Sequence, residues 1–169
     1  MPIFVHIADE RDVASIRRAG LRLARAATGP APDRPTGVFA LPVVADFAVT
    51  HQWLRELKKR GFRVATGVYF RLTDDEPVWA GRYDEQKRRT TAAQAAGTLA
   101  RDRTLGYEVL VPRSIGPAEI HAVRALPQSV GWRHFPDAHR QGVYCGCRYC
   151  QRGEIKSRRL RDRYEARER

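Results

Sequence analysis

The run at 106–112, which reads Gly-Tyr-Glu-Val-Leu-Val-Pro, limits the possible folds more than any other segment of the chain. β-Branched and aromatic residues between a glycine and a proline predict a β-strand. Alternation places apolar side chains on both faces, and Glu108 shares its face with Leu110. A strand with two apolar faces belongs inside a sheet that is covered on both sides.

Glu108 is the acidic residue in the middle of this strand. Burying an unpaired carboxylate costs several kcal/mol, so a buried Glu108 needs a hydrogen-bonding partner, a metal or a ligand. The alternative is a partly exposed strand in which Glu108 points to water or to one of the many arginines. In either case Glu108 is the residue that a functional hypothesis has to explain.

The rest of the chain mixes strands and helices without regular alternation, which predicts an α+β fold. Asp9 is a good helix N-cap, Gly20 ends that helix, and Pro42 suits a first helical turn. Strands are predicted at 3–7, 37–40, 62–72, 77–80, 106–112 and 119–126, and helices at 12–20, 42–60 and 90–100. We expect one domain at 1–130 and a separate C-terminal element at 131–169.

The chain has 169 residues, a formal net charge of +12 and a sequence pI near 10.4. Such a charge predicts attraction to polyanions, so DNA or RNA is a candidate partner. Arginine supplies most of the charge, and a high-GC genome alone can produce that composition. No apolar run reaches the roughly 20 residues that span a bilayer, and the first residues lack a signal-peptide pattern. We therefore expect a cytoplasmic protein with no membrane association.

Three cysteines lie within six residues, at Cys145, Cys147 and Cys150, and His139 stands six positions before the first of them. Zn²⁺ takes four nitrogen or sulfur ligands in a tetrahedron, so these four residues predict a closed, structural zinc site. His134 is the alternative fourth ligand. The competing interpretation is three thiols near a flexible chain end.

Residues 153–164 follow the cysteines and predict a helix with few apolar positions and mostly basic faces. One interpretation is a tail that contacts phosphates; the other is a solvated, partly disordered chain end.

Several short motifs stand in a distinctive order. His6-Ile7-Ala8 lies on the first predicted strand, and a short helix ending Ile-Arg-Arg-Ala-Gly-Leu follows at 16–21. A proline-rich loop leads to Gly-Val-Phe-Ala at 37–40. Glu-Val-Leu-Val at 108–111 precedes Pro-Ala-Glu-Ile at 117–120. This order resembles the ADP-ribosyltransferase superfamily, most closely the DNA-modifying ADP-ribosyltransferase toxins and their relatives, over residues 3–126.

The resemblance implies a split, mixed β-sheet core with flanking helices, in which His6 and Glu108 flank the nicotinamide ribose of NAD as catalytic residues. Arg34 is a candidate for the pyrophosphate, with Arg17 as the alternative. Phe39 departs from the family, because many members have a tyrosine or another hydroxyl-bearing residue there. The residues expected to contact NAD are His6, Ile7, Ala8, Arg34, Phe39 and Ala40.

The leading hypothesis is an NAD-dependent ADP-ribosyltransferase that modifies a nucleic acid or a protein bound to one. Cleavage of the nicotinamide–ribose bond develops positive charge on the sugar, which a carboxylate such as Glu108 stabilises. A protein inhibitor that restrains a toxic activity is a further partner that the resemblance allows. The alternatives are an NAD-dependent RNA 2′-phosphotransferase, against which Glu108 argues, and a non-catalytic zinc-containing module that binds nucleic acid.

Overall fold

The structure is a computed structural model, and it describes residues 1–23, 36–59, 61–83, 85–128 and 131–132. The described residues form seven strands, four α-helices and two short 3-10 turns, at Glu10–Asp12 and Pro117–Glu119. The strands are β1 (Ile3–Asp9), β2 (Val38–Pro42), β3 (Ala65–Arg71), β4 (Pro77–Arg82), β5 (Arg88–Thr91), β6 (Tyr107–Val111) and β7 (Ile120–Ala125). The helices are α1 (Val13–Ala19), α2 (Phe47–Thr50), α3 (Leu54–Lys59) and α4 (Ala92–Asp102).

All seven strands form one sheet in the order β5-β4-β6-β2-β1-β3-β7. The α+β fold class predicted from the sequence is confirmed. The sheet is antiparallel at every described pairing, so the prediction of a mixed sheet was wrong. Helices between strands favour parallel crossovers, and β5 and β6, which α4 connects, do run in the same direction. However, β4 lies between them and is antiparallel to both, and the connection that contains α1 returns the chain in the opposite direction.

The strand that contains Glu108 lies inside the sheet, between β4 and β2. Its apolar side chains are at most 5% exposed. Helix α4 and the segment that contains Trp53 both contact Tyr107: the Tyr107 hydroxyl donates to the Ala95 carbonyl, and Trp53 Nε1 donates to the Tyr107 carbonyl. The expectation of a strand with two largely buried faces is therefore confirmed.

The helix predicted at 42–60 is two short helices instead. Pro42 ends β2 and does not begin a helix. The Asp46 side chain accepts from the backbone N–H groups of Ala48 and Val49 and so caps α2, and a turn at 51–53 separates α2 from α3. On either side of this break Val49 and Leu54 are buried, whereas Phe47 is 45% exposed.

The helix predicted at 90–100 begins slightly later, because Thr91 is the N-cap of α4 and forms a capping box with Gln94. The residues just before it form the edge strand β5, which the sequence analysis missed. The sequence Arg-Arg-Thr-Thr at 88–91 shows no apolar alternation. An edge strand whose side chains are exposed or half-buried does not need one.

The chain from Met1 to Trp132 forms one compact unit with a single hydrophobic core. Trp132, which falls in the predicted C-terminal element, donates its backbone N–H to Gln52, and its ring lies against Trp53 at a centroid distance of 5.1 Å. No helix among the described residues is long and apolar enough to cross a membrane.

Candidate active site

Glu108 lies on β6 with its side chain 14% exposed, and its Oε2 atom is 2.7 Å from Nζ of Lys87. Lys87 is similarly enclosed, at 16% exposure. The burial of the carboxylate is thus offset by an ion pair, which supplies the partner that a buried Glu108 needs. An acidic residue in this strand does have a cationic partner, but the partner is a lysine and not one of the many arginines.

Gly81 lies between Lys87 and Glu108. Gly81 is the cross-strand partner of Glu108 on β4, so it lies between Glu108 and the edge of the sheet where Lys87 precedes β5. A methyl group added at Gly81 would lie 3.4 Å from Lys87 Cα and 3.7 Å from Lys87 Cγ. These distances are ordinary van der Waals contacts, so the Gly81 position lies directly beside the lysine chain.

His6 lies on β1, and its Nδ1 atom is 2.7 Å from the carbonyl oxygen of Phe39 on β2. A carbonyl can only accept, so Nδ1 must carry the proton, and in the neutral ring Nε2 carries the lone pair. Burial lowers the pKa of His6, with the Phe39 carbonyl and Asp12 acting in the opposite direction. At neutral pH the ring is therefore neutral and presents Nε2 as an acceptor.

Strands β1 and β2 separate beside His6. Their paired register contains only Phe4 with Pro42 and Val5 with Leu41, although both strands continue beyond these pairs. From His6 onward β1 stays paired with β3, while β2 stays paired with β6. The sheet thus opens between β1 and β2, and the contact between His6 and Phe39 lies at the start of that opening.

Phe39 and Glu108 share one face of the sheet. Directly opposed residues in antiparallel strands point to the same side, and Phe39 opposes Leu110, which is two residues from Glu108. Phe39 is 45% exposed, an unusual state for a large apolar residue in a central strand. An exposed aromatic ring on the face of the buried carboxylate is a surface on which a planar ligand can stack.

The same row of cross-strand partners continues toward the edge of the sheet. Leu110 opposes Trp79 on β4, and Trp79 opposes Arg89 on β5. Trp79 is half-buried and Arg89 is exposed. The row therefore carries an aromatic residue at each side of Leu110 and ends in a cation.

The remaining predicted NAD contacts divide into three groups. Ile7 and Ala8 are buried on β1 and Ala40 is buried on β2, so their backbone is what borders the opening. Arg17 is exposed on α1. Arg34 lies outside the described residues.

The predicted metal ligands His139, Cys145, Cys147 and Cys150, and the alternative His134, also lie outside the described residues. Within the part of the chain that the structure describes, no group of three or more histidine, cysteine, aspartate or glutamate side chains could hold a metal ion.

The structure places the two predicted catalytic residues on one sheet, but their side chains point to opposite faces. Val5 opposes Leu41 and Phe39 opposes Leu110, so His6 lies on the face opposite Glu108, and only a ligand that enters the opening between β1 and β2 can meet both. His6 is on β1 and Glu108 on β6, with β2 between them. Two strand spacings correspond to about 10 Å in a regular sheet, a width on the scale of a nucleoside. Sequence reasoning missed Lys87. The available signal was a lysine between two strand segments, with Gly81 six residues before it, but nothing in that pattern gives the register that joins it to Glu108.

Comparisons with models of protein families, with curated proteins and with solved structures found no match for this chain.

Proposed function

We propose that this protein is an NAD-dependent ADP-ribosyltransferase whose acceptor is a nucleic acid or a protein bound to one. The observation that carries the proposal is the placement of His6 beside the opening between β1 and β2, with Glu108 on the next strand beyond β2. The order of sequence motifs that resembles the ADP-ribosyltransferases supports the same conclusion independently.

Each proposed role follows from an observed geometry. His6 Nε2 accepts a hydrogen bond from a ribose hydroxyl, because Nδ1 is already committed to the Phe39 carbonyl. The exposed ring of Phe39 stacks on the nicotinamide, although it offers no hydroxyl to the ribose. The backbone of Ile7, Ala8 and Ala40 borders the opening.

Glu108 supplies the negative charge for the chemical step. The bond between ribose C1′ and the nicotinamide nitrogen breaks, and its electron pair leaves with nicotinamide. Positive charge then develops on the sugar, and the nearby carboxylate stabilises it. The acceptor atom forms a bond to C1′ and gives its proton to Glu108, which returns the proton to solvent.

A nucleic-acid acceptor fits the face that carries Glu108. The row from Phe39 through Trp79 to Arg89 offers aromatic rings for base stacking and a cation for phosphate. The net charge of +12 adds long-range attraction to a polyanion. Within the described part of the chain, the cations that can contact phosphate lie on the edge strand β5. The basic residues at 153–164 are the second candidate contact with nucleic acid.

The direct test incubates the protein with isotopically labelled NAD and, in turn, single-stranded DNA, RNA and lysate protein. We expect label on one acceptor class, and we expect Glu108→Gln to reduce transfer by about a hundredfold or more, because the charge that stabilises the transition state is lost. The amide oxygen introduced by this substitution can still accept a hydrogen bond from Lys87, and thermal unfolding verifies that the variant is folded. Glu10→Gln, at an exposed glutamate, is the matched control.

Calorimetry with NAD separates binding from chemistry. Glu108→Gln is expected to bind NAD nearly as tightly as the wild type. His6→Asn keeps a donor for the Phe39 carbonyl but removes Nε2, so its Kd for NAD is expected to rise about tenfold. Equal transfer by the wild type and Glu108→Gln contradicts the catalytic assignment.

The ion pair between Lys87 and Glu108 also fits a second candidate function, a non-catalytic nucleic-acid-binding module in which the pair is structural. That candidate predicts no NAD binding and unchanged nucleic-acid affinity in Glu108→Gln. An RNA 2′-phosphotransferase would instead act on RNA with an internal 2′-phosphate and would retain activity in Glu108→Gln.

A further inference from the structure

The contact between Lys87 and Glu108 opposes the chemistry proposed for Glu108. An ammonium 2.7 Å from the carboxylate oxygen cancels most of the negative potential that would stabilise a developing ribosyl cation. Both side chains are largely enclosed, so water screens this effect only weakly. While the pair is closed, Glu108 is a poor stabiliser of positive charge.

Lys87 lies where a bound anion can draw its ammonium away from Glu108. It ends the connection between β4 and the edge strand β5, and the next two residues, Arg88 and Arg89, are exposed. A phosphate chain bound along this edge would meet Lys87 and Arg89 on the face of Glu108, whereas Arg88 points to the other face. A lysine is a point charge on a flexible stem, so its ammonium can turn from the carboxylate to a phosphate without movement of the strand.

We propose that Lys87 is a specificity-determining residue, which holds Glu108 in an ion pair until a phosphate-bearing acceptor binds to the β5 edge and takes the ammonium. The inference rests on the proposed function. Water, which carries no phosphate, leaves the pair closed. Transfer to water, in which a water oxygen bonds to C1′ and its proton passes to Glu108, is therefore slow compared with transfer to the acceptor.

The test measures nicotinamide release from NAD with water as the sole acceptor and again with a mixed-sequence single-stranded DNA oligonucleotide. Lys87→Met is expected to release nicotinamide in the absence of DNA at least about tenfold faster than the wild type, because one opposing charge is removed. DNA should then stimulate the variant much less than it stimulates the wild type.

Two further variants test whether the effect comes from loss of the positive charge at position 87. Lys87→Arg keeps a cation at this position, so its nicotinamide release in the absence of DNA is expected to stay well below that of Lys87→Met. Arg101→Met removes an exposed charge on α4 and is expected to match the wild type in both conditions. Thermal unfolding verifies that each variant is folded, and Lys87→Gln replaces Lys87→Met if the latter does not fold.

The inference is overturned if Lys87→Met or Lys87→Gln releases nicotinamide no faster than the wild type without DNA. Slower release in both conditions also overturns it, because Lys87 would then support Glu108 rather than restrain it. If the folded wild type releases no nicotinamide in either condition, the proposed function itself fails, an outcome distinct from the failure of the Lys87 assignment alone.

Discussion

Two histidines in this fold each donate a hydrogen bond from Nδ1 to a backbone carbonyl, but they differ in what their Nε2 atoms contact. His51 Nδ1 donates to the Phe47 carbonyl at 2.9 Å, and its Nε2 lies 3.0 Å from the Tyr69 hydroxyl, so both nitrogens are used inside the protein. Among the described residues, the structure gives His6 a hydrogen-bond partner at Nδ1 alone. His51 therefore stabilises the fold, while His6 retains an acceptor for a ligand.

At the residue scale we predict that stability falls as the pH decreases below about 6.5. Burial lowers the pKa of His51, and that of His6, so the folded protein excludes a proton that the unfolded chain binds below its ordinary pKa near 6.5. Each such histidine adds a slope of up to about 1.4 kcal/mol per pH unit until its lowered folded pKa is reached. Urea unfolding from about pH 8 to about pH 5 measures this slope.

His51→Gln is expected to reduce the slope of unfolding free energy against pH, since it removes one of the groups whose pKa is lowered by folding. His121→Gln is the comparison: its pKa is lowered by burial and by Arg71 and Arg124, but its side chain is exposed, so the change should be smaller. Asp9, whose pKa is depressed chiefly by its hydrogen bonds with Arg11, loses its contribution only at more acidic pH. An unchanged slope in His51→Gln contradicts the assignment of a neutral, buried ring.

At the element scale the end of α1 depends on Gly20. Its φ of 76° with ψ of −172° is a conformation that is essentially restricted to glycine, and an added Cβ would lie 2.1 Å from the Ile115 carbonyl oxygen. The next residue, Leu21, exchanges two backbone hydrogen bonds with Ile115, at 2.8 and 2.9 Å. Gly20 thus allows the chain after α1 to join the segment that follows β6.

We predict that Gly20→Ala lowers the free energy of unfolding by about 3 kcal/mol or more, through backbone strain and loss of the pairing with Ile115. Gly97→Ala is the matched control within α4, where an added Cβ would meet nothing within 4 Å. Higher helix propensity should make that variant about 0.5–1 kcal/mol more stable. Chemical denaturation of both variants checks the pair. A Gly20→Ala variant as stable as the wild type, or a clearly destabilised Gly97→Ala, would contradict the account.

Elements with a strong local signal were predicted from the sequence. The strands around His6 and Glu108 and the stop at Gly20 were identified because alternation, bounding Gly and Pro, and a cap act over a few residues. The break between α2 and α3 was missed, because its cause is the capping contact at Asp46 and the packing of Gln52 and Trp53, which contact the backbone at 104–107. Those contacts of Gln52 and Trp53 join residues about fifty positions apart.

At the scale of the whole molecule, residues 1–132 contain their own core and sheet. We predict that a chain ending at Trp132 folds cooperatively, with a thermal midpoint within a few degrees of that of the full chain. The full-length protein, purified under reducing conditions, is expected to contain one zinc ion per chain through Cys145, Cys147, Cys150 and His139, and the shortened chain none. Circular dichroism and metal analysis by mass spectrometry measure the two properties.

Metal analysis tests the zinc site, and thermal melting tests the independence of residues 1–132. A full-length protein without stoichiometric zinc contradicts the metal site and leaves the core unaffected. A shortened chain that does not melt cooperatively contradicts the independence of residues 1–132. His139→Ala and His134→Ala distinguish the two candidate fourth ligands by which variant loses zinc.

The sequence by itself determined that a strand with two apolar faces contains a carboxylate in need of a partner, and that a histidine lies on the first strand, because both follow from alternation within a few residues. Only the tertiary structure decided what these residues contact. The partner of Glu108 depends on the registers of β4 with β6 and of β4 with β5. The neutral state of His6 depends on burial, and its tautomer depends on a carbonyl 33 residues away in the chain. Cross-strand register arises from packing of distant segments, so no local pattern encodes it.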